Sequence, residues 1–332
     1  MIEKYYNGVI EQVAGGIGNV EHNSILVRYS NDFSIWDLES VNHYKDQTDI
    51  FFTCHEFSYN KIAEAYEPYL GLIRQMFHKY CSGTLEEFME ECDVYKLQRP
   101  VFESYFEKGF CERTEQILID EVEYEQERMR NSIVTMLQKL SEIRPVVIVL
   151  NRFQLASKST MQLSNSLLQV KNKNIGIVLG VNDVQSIPEF AHEEWDAICE
   201  SMDDRNMVYH IGNAGRNMEP DVMDYYSDYE SDDGYRKLNN LVYFLDFDQA
   251  NHHLSKIERR IKFDNFTISE KKHYQLLLLQ IMVSVLQRDI AKALESCEDL
   301  EKLQDQEKEG AFYYNFWMAT SYMYLGKLEE AM

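Results

Sequence analysis

Two polar segments follow apolar, strand-like runs, which is where α/β proteins hold phosphates and metal ions. The segment SNDFS at residues 30–34 follows the run at 24–29, and Asn151-Arg152 follows the run at 145–150. Phosphate binding at the first position needs glycine N–H groups and a lysine, and a magnesium ion at the second needs a carboxylate. The first segment contains no glycine and no lysine. The second offers a neutral amide and a cation, and a cation repels magnesium. These residues predict a site that binds neither phosphate nor metal.

Other segments with suitable residue types lack the required spacing. The stretch AGGIGNV at 14–20 has glycines, but Asn19 and Val20 stand where a phosphate loop has lysine and threonine. It also precedes the first strand, whereas a phosphate loop follows one, so we interpret it as a turn. The acidic run at 228–234 lacks the alternating acids of an EF-hand, and the adjacent His252 and His253 diverge on a helix. We predict no metal site and no catalytic set.

Strand-like and helical patterns alternate through the first two thirds of the chain. The apolar runs at 145–150 and 174–179 are typical of central parallel strands that are covered on both faces. Alternation of strands with helices requires crossover connections, so the predicted fold class is α/β with a parallel sheet. The predicted strands are 24–29, 49–54, 145–150, 174–179 and 207–211. The predicted helices lie at about 35–44, 69–80, 84–91, 113–143, 159–170 and 189–202.

Beyond residue 212 an acidic, tyrosine-rich connection leads into helical periodicity. Met318, Ala319, Tyr322 and Gly326 match the small, aromatic and turn positions of a tetratricopeptide repeat, and an ordinary helical bundle is the alternative. A repeat array cannot bury its last face without neighbours, so we expect this sequence to be part of a longer protein. The predicted organisation is an N-terminal arm at 1–23, an α/β domain at 24–212, an acidic linker at 213–240 and a helical region at 241–332.

Three segments, in this order, resemble the STAND class of P-loop signalling NTPases, in particular bacterial regulators that join such a domain to tetratricopeptide repeats. Residues 66–74 are similar to the family's P-Y-x-P-F-x-x-x-x-R helix start, and 149–161 follow its LVLDDLHWADPSSLELL frame with Ala156 and Ser159 kept. Residues 174–181 stand where the family has its sensor strand. The resemblance implies a P-loop NTPase-like α/β domain followed by an all-α tetratricopeptide-like region. The residues that would handle ATP are replaced, so no cofactor is expected. The altered positions are Ser30, Asn31, Asp32, Ser34, Asn151, Arg152 and Asn182.

The formal charge of −23 and the pI near 4.8 disfavour direct binding to nucleic acid or to anionic membranes. The basic stretch KIERRIK at 256–262 has mixed charge, which is typical of a solvated helix face. No apolar run reaches the length of a membrane span, and the N-terminus lacks the pattern of a signal peptide. Six scattered cysteines without a C-x-x-C pair indicate reduced thiols. We therefore predict a cytoplasmic protein.

The sequence thus favours a non-catalytic regulatory or scaffolding module of a bacterial signal-transduction protein. We expect it to bind protein partners through its tetratricopeptide-like helices, and it could also self-associate. The resemblance implies an alternative, an ATP-binding regulator with an unorthodox nucleotide site at the front of a transcriptional regulator or a diguanylate cyclase. Any enzymatic activity would then reside in an output domain outside this sequence.

Overall fold

The computed structural model describes residues 2–20, 23–30, 34–45, 47, 49–58, 61–111, 122–183, 187–204, 207–211, 231–263, 268–303 and 308–331. Five parallel strands form one sheet in the order β2-β3-β4-β1-β5. The strands are β1 (Asn23–Tyr29), β2 (Phe51–Glu56), β3 (Val146–Asn151), β4 (Ile175–Asn182) and β5 (Val208–Ile211). The helices before the acidic connection are α1 (Ile2–Gly16), α2 (Glu39–Lys45), α3 (Tyr69–Tyr80), α4 (Leu85–Glu91), α5 (Arg99–Lys108), α6 (Val122–Ile143), α7 (Lys158–Gln169) and α8 (His192–Asp203). Those after it are α9 (Asp232–Tyr243), α10 (Phe247–Phe263), α11 (Glu270–Leu286), α12 (Ile290–Glu301), α13 (Lys308–Tyr324) and α14 (Leu328–Ala331).

The predicted parallel α/β fold is confirmed, and its central strands are the apolar runs identified in the sequence. Every residue of β3 and β4 is buried, as expected where helices cover both faces of a sheet. Three strands differ from their predicted bounds by a single residue at one or both ends, and two differ by more. The second strand is Phe51–Glu56 and not 49–54, and β4 continues to Asn182 and not only to residue 179. Both extensions carry polar side chains to the carboxyl edge of the sheet.

Side chains that alternate along the strands enter two different cores. Val147, Val149 and Val178 pack with α1 and α2 on one face. Ile148 and Leu150 belong to the larger core on the other face, which contains apolar residues of α3, α6, α7 and α8. The segment predicted only as an N-terminal arm includes α1, whose buried residues recur at three- and four-residue steps and fix it to the sheet.

The connections create a switch point between β1 and β4. After β1 the chain runs along the α2 face to β2 at the far edge, whereas after β4 it runs along the opposite face through α8 to β5. In open parallel sheets, ligands bind outside the carboxyl ends of strands at such a point. This edge is therefore where a ligand of the α/β half would be expected.

The helices after the acidic connection pack against the α/β half through one continuous hydrophobic core, which extends from the sheet to Trp317. The core helix of this part is α11, which is buried on all sides over 276–286. Helix α9 begins at Asp232, inside the segment 213–240 that was predicted to be an acidic linker. The side chain of its N-cap residue, Ser231, accepts a hydrogen bond from the backbone N–H of Gly234. Among the helices described, none is both long and apolar enough to cross a membrane.

Candidate functional site at the carboxyl edge of the sheet

Strands β1, β3 and β4 end side by side, so the structure brings Tyr29, Asn151 and Asn182 to one edge. Asn151 is fully buried, and its Oδ1 atom accepts a hydrogen bond of 2.7 Å from the Tyr29 hydroxyl. The backbone N–H of Asn182 donates to Gln154 Oε1 at 3.2 Å. The strand ends are thus tied by side chains of the protein itself.

A tyrosine from α1 covers this edge at the switch point. Tyr6 is fully buried and lies so close to Gly180 that a Cβ atom there would overlap the Tyr6 hydroxyl and would lie 2.7 Å from Asn151 Oδ1. Burial raises the pKa of the Tyr6 phenol, and the nearby Tyr29 and Glu56 raise it further, so the group stays neutral. The phenol thus lies beside Gly180 and Asn151, on the face of the sheet that α1 covers.

Arg152 directs its charge to a neighbouring carboxylate. It has a left-handed backbone, with φ of 53°, and its Nη1 atom lies 3.3 Å from Glu56 Oε1. The other oxygen, Glu56 Oε2, accepts from the backbone N–H of Ile35 at 3.1 Å and from the Ser34 hydroxyl at 3.4 Å. Both charged side chains are largely buried, so the pair is neutralised within the protein and not by solvent.

Of the remaining predicted positions, Ser34 contacts this pair through Glu56. Ser30 is half-buried in the bend after β1, and Ser34 accepts from the backbone N–H of Trp36 to cap a short 3-10 helix. Asn31 and Asp32 fall outside the described residues. On the outer side, Arg28 Nε donates to Asp183 Oδ1 at 2.7 Å, which neutralises a second arginine of the edge.

Glu56, Tyr6 and Gln154 are the members of this edge that the sequence did not reveal. Glu56 lies two residues beyond the predicted strand end. Tyr6 shares the helical spacing of Val9, Ile10 and Val13, and that pattern could have identified α1 as a helix packed on the core. Chemically, the edge pairs its own charges, while the buried Asn151 Nδ2 atom has no hydrogen-bond partner among the described residues.

A second polar cluster lies beside the edge strand β2, along a cavity of about 240 Å³. Glu64 Oε2 accepts from Asn240 Nδ2 at 2.9 Å, and Glu67 Oε2 accepts from the backbone N–H of Glu64 at 3.2 Å. His55 Nε2 lies 3.5 Å from Glu67 Oε1. Asn240 Oδ1 in turn accepts from the backbone N–H of Cys111 at 2.8 Å. The cluster joins the start of α3 to α9, so we name it the Glu64 junction.

Burial sets the protonation of the Glu64 junction. It raises the pKa of Glu64 from 4.5 to about 7, with a further contribution from the neighbouring Glu67 carboxylate. It also lowers the pKa of His55 to about 4, so the imidazole is neutral at pH 7. The pKa of Cys54 is raised by burial, which makes its thiol a poor nucleophile. Within the part of the chain that the structure describes, no three His, Cys, Asp or Glu side chains are grouped to hold a metal ion.

A third polar cluster joins α7 to the start of α10. Asp246 is 4% exposed, and its Oδ2 atom accepts from the backbone N–H of Ser159 at 2.8 Å. Its Oδ1 atom accepts from the backbone N–H of Gln249 at 3.3 Å, and burial raises the pKa of the carboxyl. Lys158 Nζ lies 2.7 Å from Asp248 Oδ2. We name this cluster the Asp246 junction.

The sequence matches no protein-family model, and no curated protein shows significant similarity to it.

Proposed function

We propose that this chain is a non-catalytic regulatory or scaffolding module of a bacterial signal-transduction protein, which binds no nucleotide and contacts protein partners through its helical half. The observation that carries the proposal is that side chains of the protein itself pair with one another at the carboxyl edge. The Asn151–Tyr29 hydrogen bond and the Arg152–Glu56 ion pair lie at the ends of the strands where the STAND-like interpretation would put magnesium and phosphate.

Electrostatics at this edge oppose a nucleotide. Phosphoryl transfer depends on positioned cations that stabilise the charge of the phosphates. Arg152 and Arg28 are each paired with a carboxylate, Glu56 and Asp183. A polyphosphate would have to displace these partners and would then face two uncompensated carboxylates in a partly buried site. The STAND-like interpretation of residues 24–212 therefore accounts for the parallel sheet without implying ATP hydrolysis.

The two junctions support a scaffolding role because they fix the helices to the sheet. The Glu64 junction reaches from α3 to α9, and the Asp246 junction reaches from α7 to α10. A helical array mounted in this way keeps a fixed orientation relative to the sheet. Buried polar networks of this kind favour one arrangement, since any other leaves their groups unpaired.

Protein contact through the helical half is supported by the surface around α13. Four large apolar side chains are exposed there, namely Phe316 (41%), Met323 (61%), Tyr324 (51%) and Leu325 (45%). We name these residues the α13 patch. Gly326, with φ of 71°, makes the turn from α13 to α14, as expected between the paired helices of a tetratricopeptide-like unit. Exposed aromatic and methionine side chains are typical of protein interfaces.

The helical contact is tested by sedimentation equilibrium of the full chain in 150 mM salt, where charges are screened over about 8 Å. We expect concentration-dependent self-association that the double change Met323→Glu and Leu325→Glu abolishes. Ile143, which is 54% exposed at the end of α6 in the α/β half, provides the matched control. Ile143→Glu should leave association unchanged. A monomer at every concentration, or loss of association only with Ile143→Glu, would count against contact through the α13 patch.

The alternative, an ATP-binding regulator with an unorthodox site, is favoured by one observation. The carboxyl ends of β1, β3 and β4 meet at a single edge, as nucleotide binding would require. It further requires two movements when nucleotide binds: Glu56 would have to leave Arg152, and Tyr6 would have to leave Gly180. That alternative predicts saturable Mg-ATP binding, which the proposed function does not.

A further inference from the structure

Strand β2 lies at one edge of the sheet, so one side of its backbone has no neighbouring strand among the described residues. The backbone N–H of Phe51 donates to the carbonyl oxygen of Pro145 on the β3 side. Because successive residues of a strand direct their backbone groups to opposite sides, those of Phe52, Cys54 and Glu56 point away from β3. No described residue forms a hydrogen bond with these outward groups. Such a row of N–H and C=O groups can pair with another extended chain.

The edge of β2 is partly open to solvent along the whole strand. Each of its six residues is half-buried, whereas every residue of β3 and β4 is buried. The strand at the opposite edge, β5, has only four residues. Of the two edges, β2 therefore offers the longer backbone to an added strand.

The two faces of the sheet beside this edge differ in chemistry. On the α3 face, His55 lines the cavity of about 240 Å³ at the Glu64 junction, together with Glu64 and Glu67. On the opposite face, the Phe52 ring stacks on Tyr44 with ring centroids 5.7 Å apart, and both rings pack against the core of α1 and α2. Side chains alternate between the faces of a sheet, so an added strand would present every second residue to the cavity and the others to the aromatic pair.

The cavity beside β2 favours a positively charged side chain. Its lining contains two carboxyl groups, those of Glu64 and Glu67, and no lysine or arginine. Burial raises the pKa of both carboxyl groups, and burial lowers the pKa of the adjacent His55 to about 4, so the imidazole is neutral at pH 7. Lys237 lies near but is paired with Asp233 at 2.9 Å. The Glu67 side chain is 26% exposed, so a group that enters the cavity can reach its carboxylate and offset its charge.

We propose that β2 pairs with an extended segment of a partner protein in which lysine or arginine alternates with β-branched apolar residues. The outward backbone groups bind the segment, the basic side chains enter the cavity toward Glu64 and Glu67, and the apolar side chains cover Phe52. The formal charge of −23 also favours a basic partner. The β2 strand of a second copy, FFTCHE, contains no lysine or arginine and does not meet this requirement. The surface is separate from the α13 patch, so its test does not depend on the proposed function.

The probe is a fluorescein-labelled peptide, Ser-Val-Lys-Val-Lys-Val-Thr, whose binding to the full chain is followed by fluorescence anisotropy in 150 mM salt. We expect saturable binding with a dissociation constant on the order of 0.1 mM. A peptide with norleucine in place of both lysines keeps the apolar stems and loses the charges. It should bind at least tenfold more weakly.

Two further peptides carry N-methyl groups, one on its valine residues and the other on its lysine residues. Backbone N–H groups alternate in direction along a strand, so only one of these two sets can face β2. Methylation of that set should weaken binding at least tenfold, and methylation of the other set should leave it unchanged. Both methylated peptides keep the charge of the probe, so loss of binding with both or with neither would overturn pairing through the backbone.

Two pairs of protein variants locate the peptide. Glu67→Gln should remove the preference for lysine over norleucine, and Glu103→Gln, on the exposed face of α5, should keep it. Cys54→Pro removes an outward N–H of β2 without removing a hydrogen bond to β3, and it should abolish binding. His210→Pro makes the same change on the outward side of β5 and should leave binding unchanged.

The comparison of peptides on the wild type remains decisive if a variant does not fold. Absence of saturable binding by the wild type, or equal binding of the lysine and norleucine peptides, would overturn the proposal. An unchanged lysine preference in folded Glu67→Gln would overturn the role of the cavity, and binding by folded Cys54→Pro would place the peptide elsewhere. Self-association that Cys54→Pro abolishes in sedimentation equilibrium, without binding of the peptide, would overturn the proposal in favour of a second copy at this edge.

Discussion

The Glu64 junction gives a prediction whose sign and size follow from one half-buried carboxyl group. In the folded chain the pKa of Glu64 is about 7, against 4.5 for an exposed glutamate. Between these values the folded state holds a proton that the unfolded state releases. The junction therefore contributes stability that is fully present below pH 4.5 and is lost as the pH rises to 7.

Glu64→Gln removes this titration but keeps a carbonyl that can accept from Asn240 Nδ2. Each unit of displacement in pKa corresponds to about 1.36 kcal/mol. The displacement from 4.5 to about 7 therefore limits the gain in the free energy of unfolding of Glu64→Gln to about 3 kcal/mol at pH 8 and to under about 1 kcal/mol at pH 5. Because Glu64 is half-buried, solvent screening reduces the expected gain at pH 8 to about 1–2 kcal/mol. The variant should thus be more stable than wild type at pH 8 and nearly equal to it at pH 5.

The assay is urea unfolding of the full chain at pH 8 and at pH 5, with midpoints converted to free energies of unfolding. Glu103→Gln, on the exposed face of α5, makes the same charge change without burial and should alter stability little at either pH. A Glu64→Gln variant that is destabilised at pH 8, or whose gain is the same at both pH values, would refute the assignment of a raised pKa to this group.

Two further substitutions test the sheet and its carboxyl edge. Ile148→Asp places an unpaired carboxylate in the fully buried centre of β3 and should cost several kcal/mol, enough to unfold the α/β half in circular dichroism, whereas Ile143→Asp at an exposed position should not. Gly180→Ala should lower the free energy of unfolding by about 1–3 kcal/mol, because the added methyl overlaps the Tyr6 hydroxyl. In the Tyr6→Phe background, which lacks that hydroxyl, the same change should cost measurably less. Equal costs in both backgrounds would contradict this packing.

The elements that the sequence predicts best are those specified by local patterns. The helix at 69–80 agrees residue for residue with α3, and Thr84 forms the N-cap of α4 with a reciprocal bond to Glu87. The apolar runs of β3 and β4 needed only their own composition to be recognised as central strands. Helix α5 was not predicted, because its buried residues Val101, Phe102 and Phe106 form too short a stripe to show a period.

The carboxyl edge and the junctions depend on contacts between distant parts of the chain. Tyr29 and Asn151 are 122 residues apart, and Glu64 and Asn240 are 176 apart. No local pattern announces that Glu56 will neutralise Arg152, because the pairing exists only once β2 lies beside β3. The sequence could show which residues of a nucleotide site are absent at these positions, but not which contacts the residues present would make. The STAND-like and tetratricopeptide-like interpretations remain predictions.

The central claim, that the carboxyl edge binds no nucleotide, is tested most directly by calorimetric titration of the full chain with Mg-ATP. Because the Arg152–Glu56 pair and the Tyr6 phenol occupy the edge, we predict no saturable heat up to millimolar nucleotide. Arg152→Ala, which removes the cation of that pair, should likewise show none. A dissociation constant on the order of micromolar in the wild type, lost in Arg152→Ala, would place the nucleotide at this edge and contradict the proposed function.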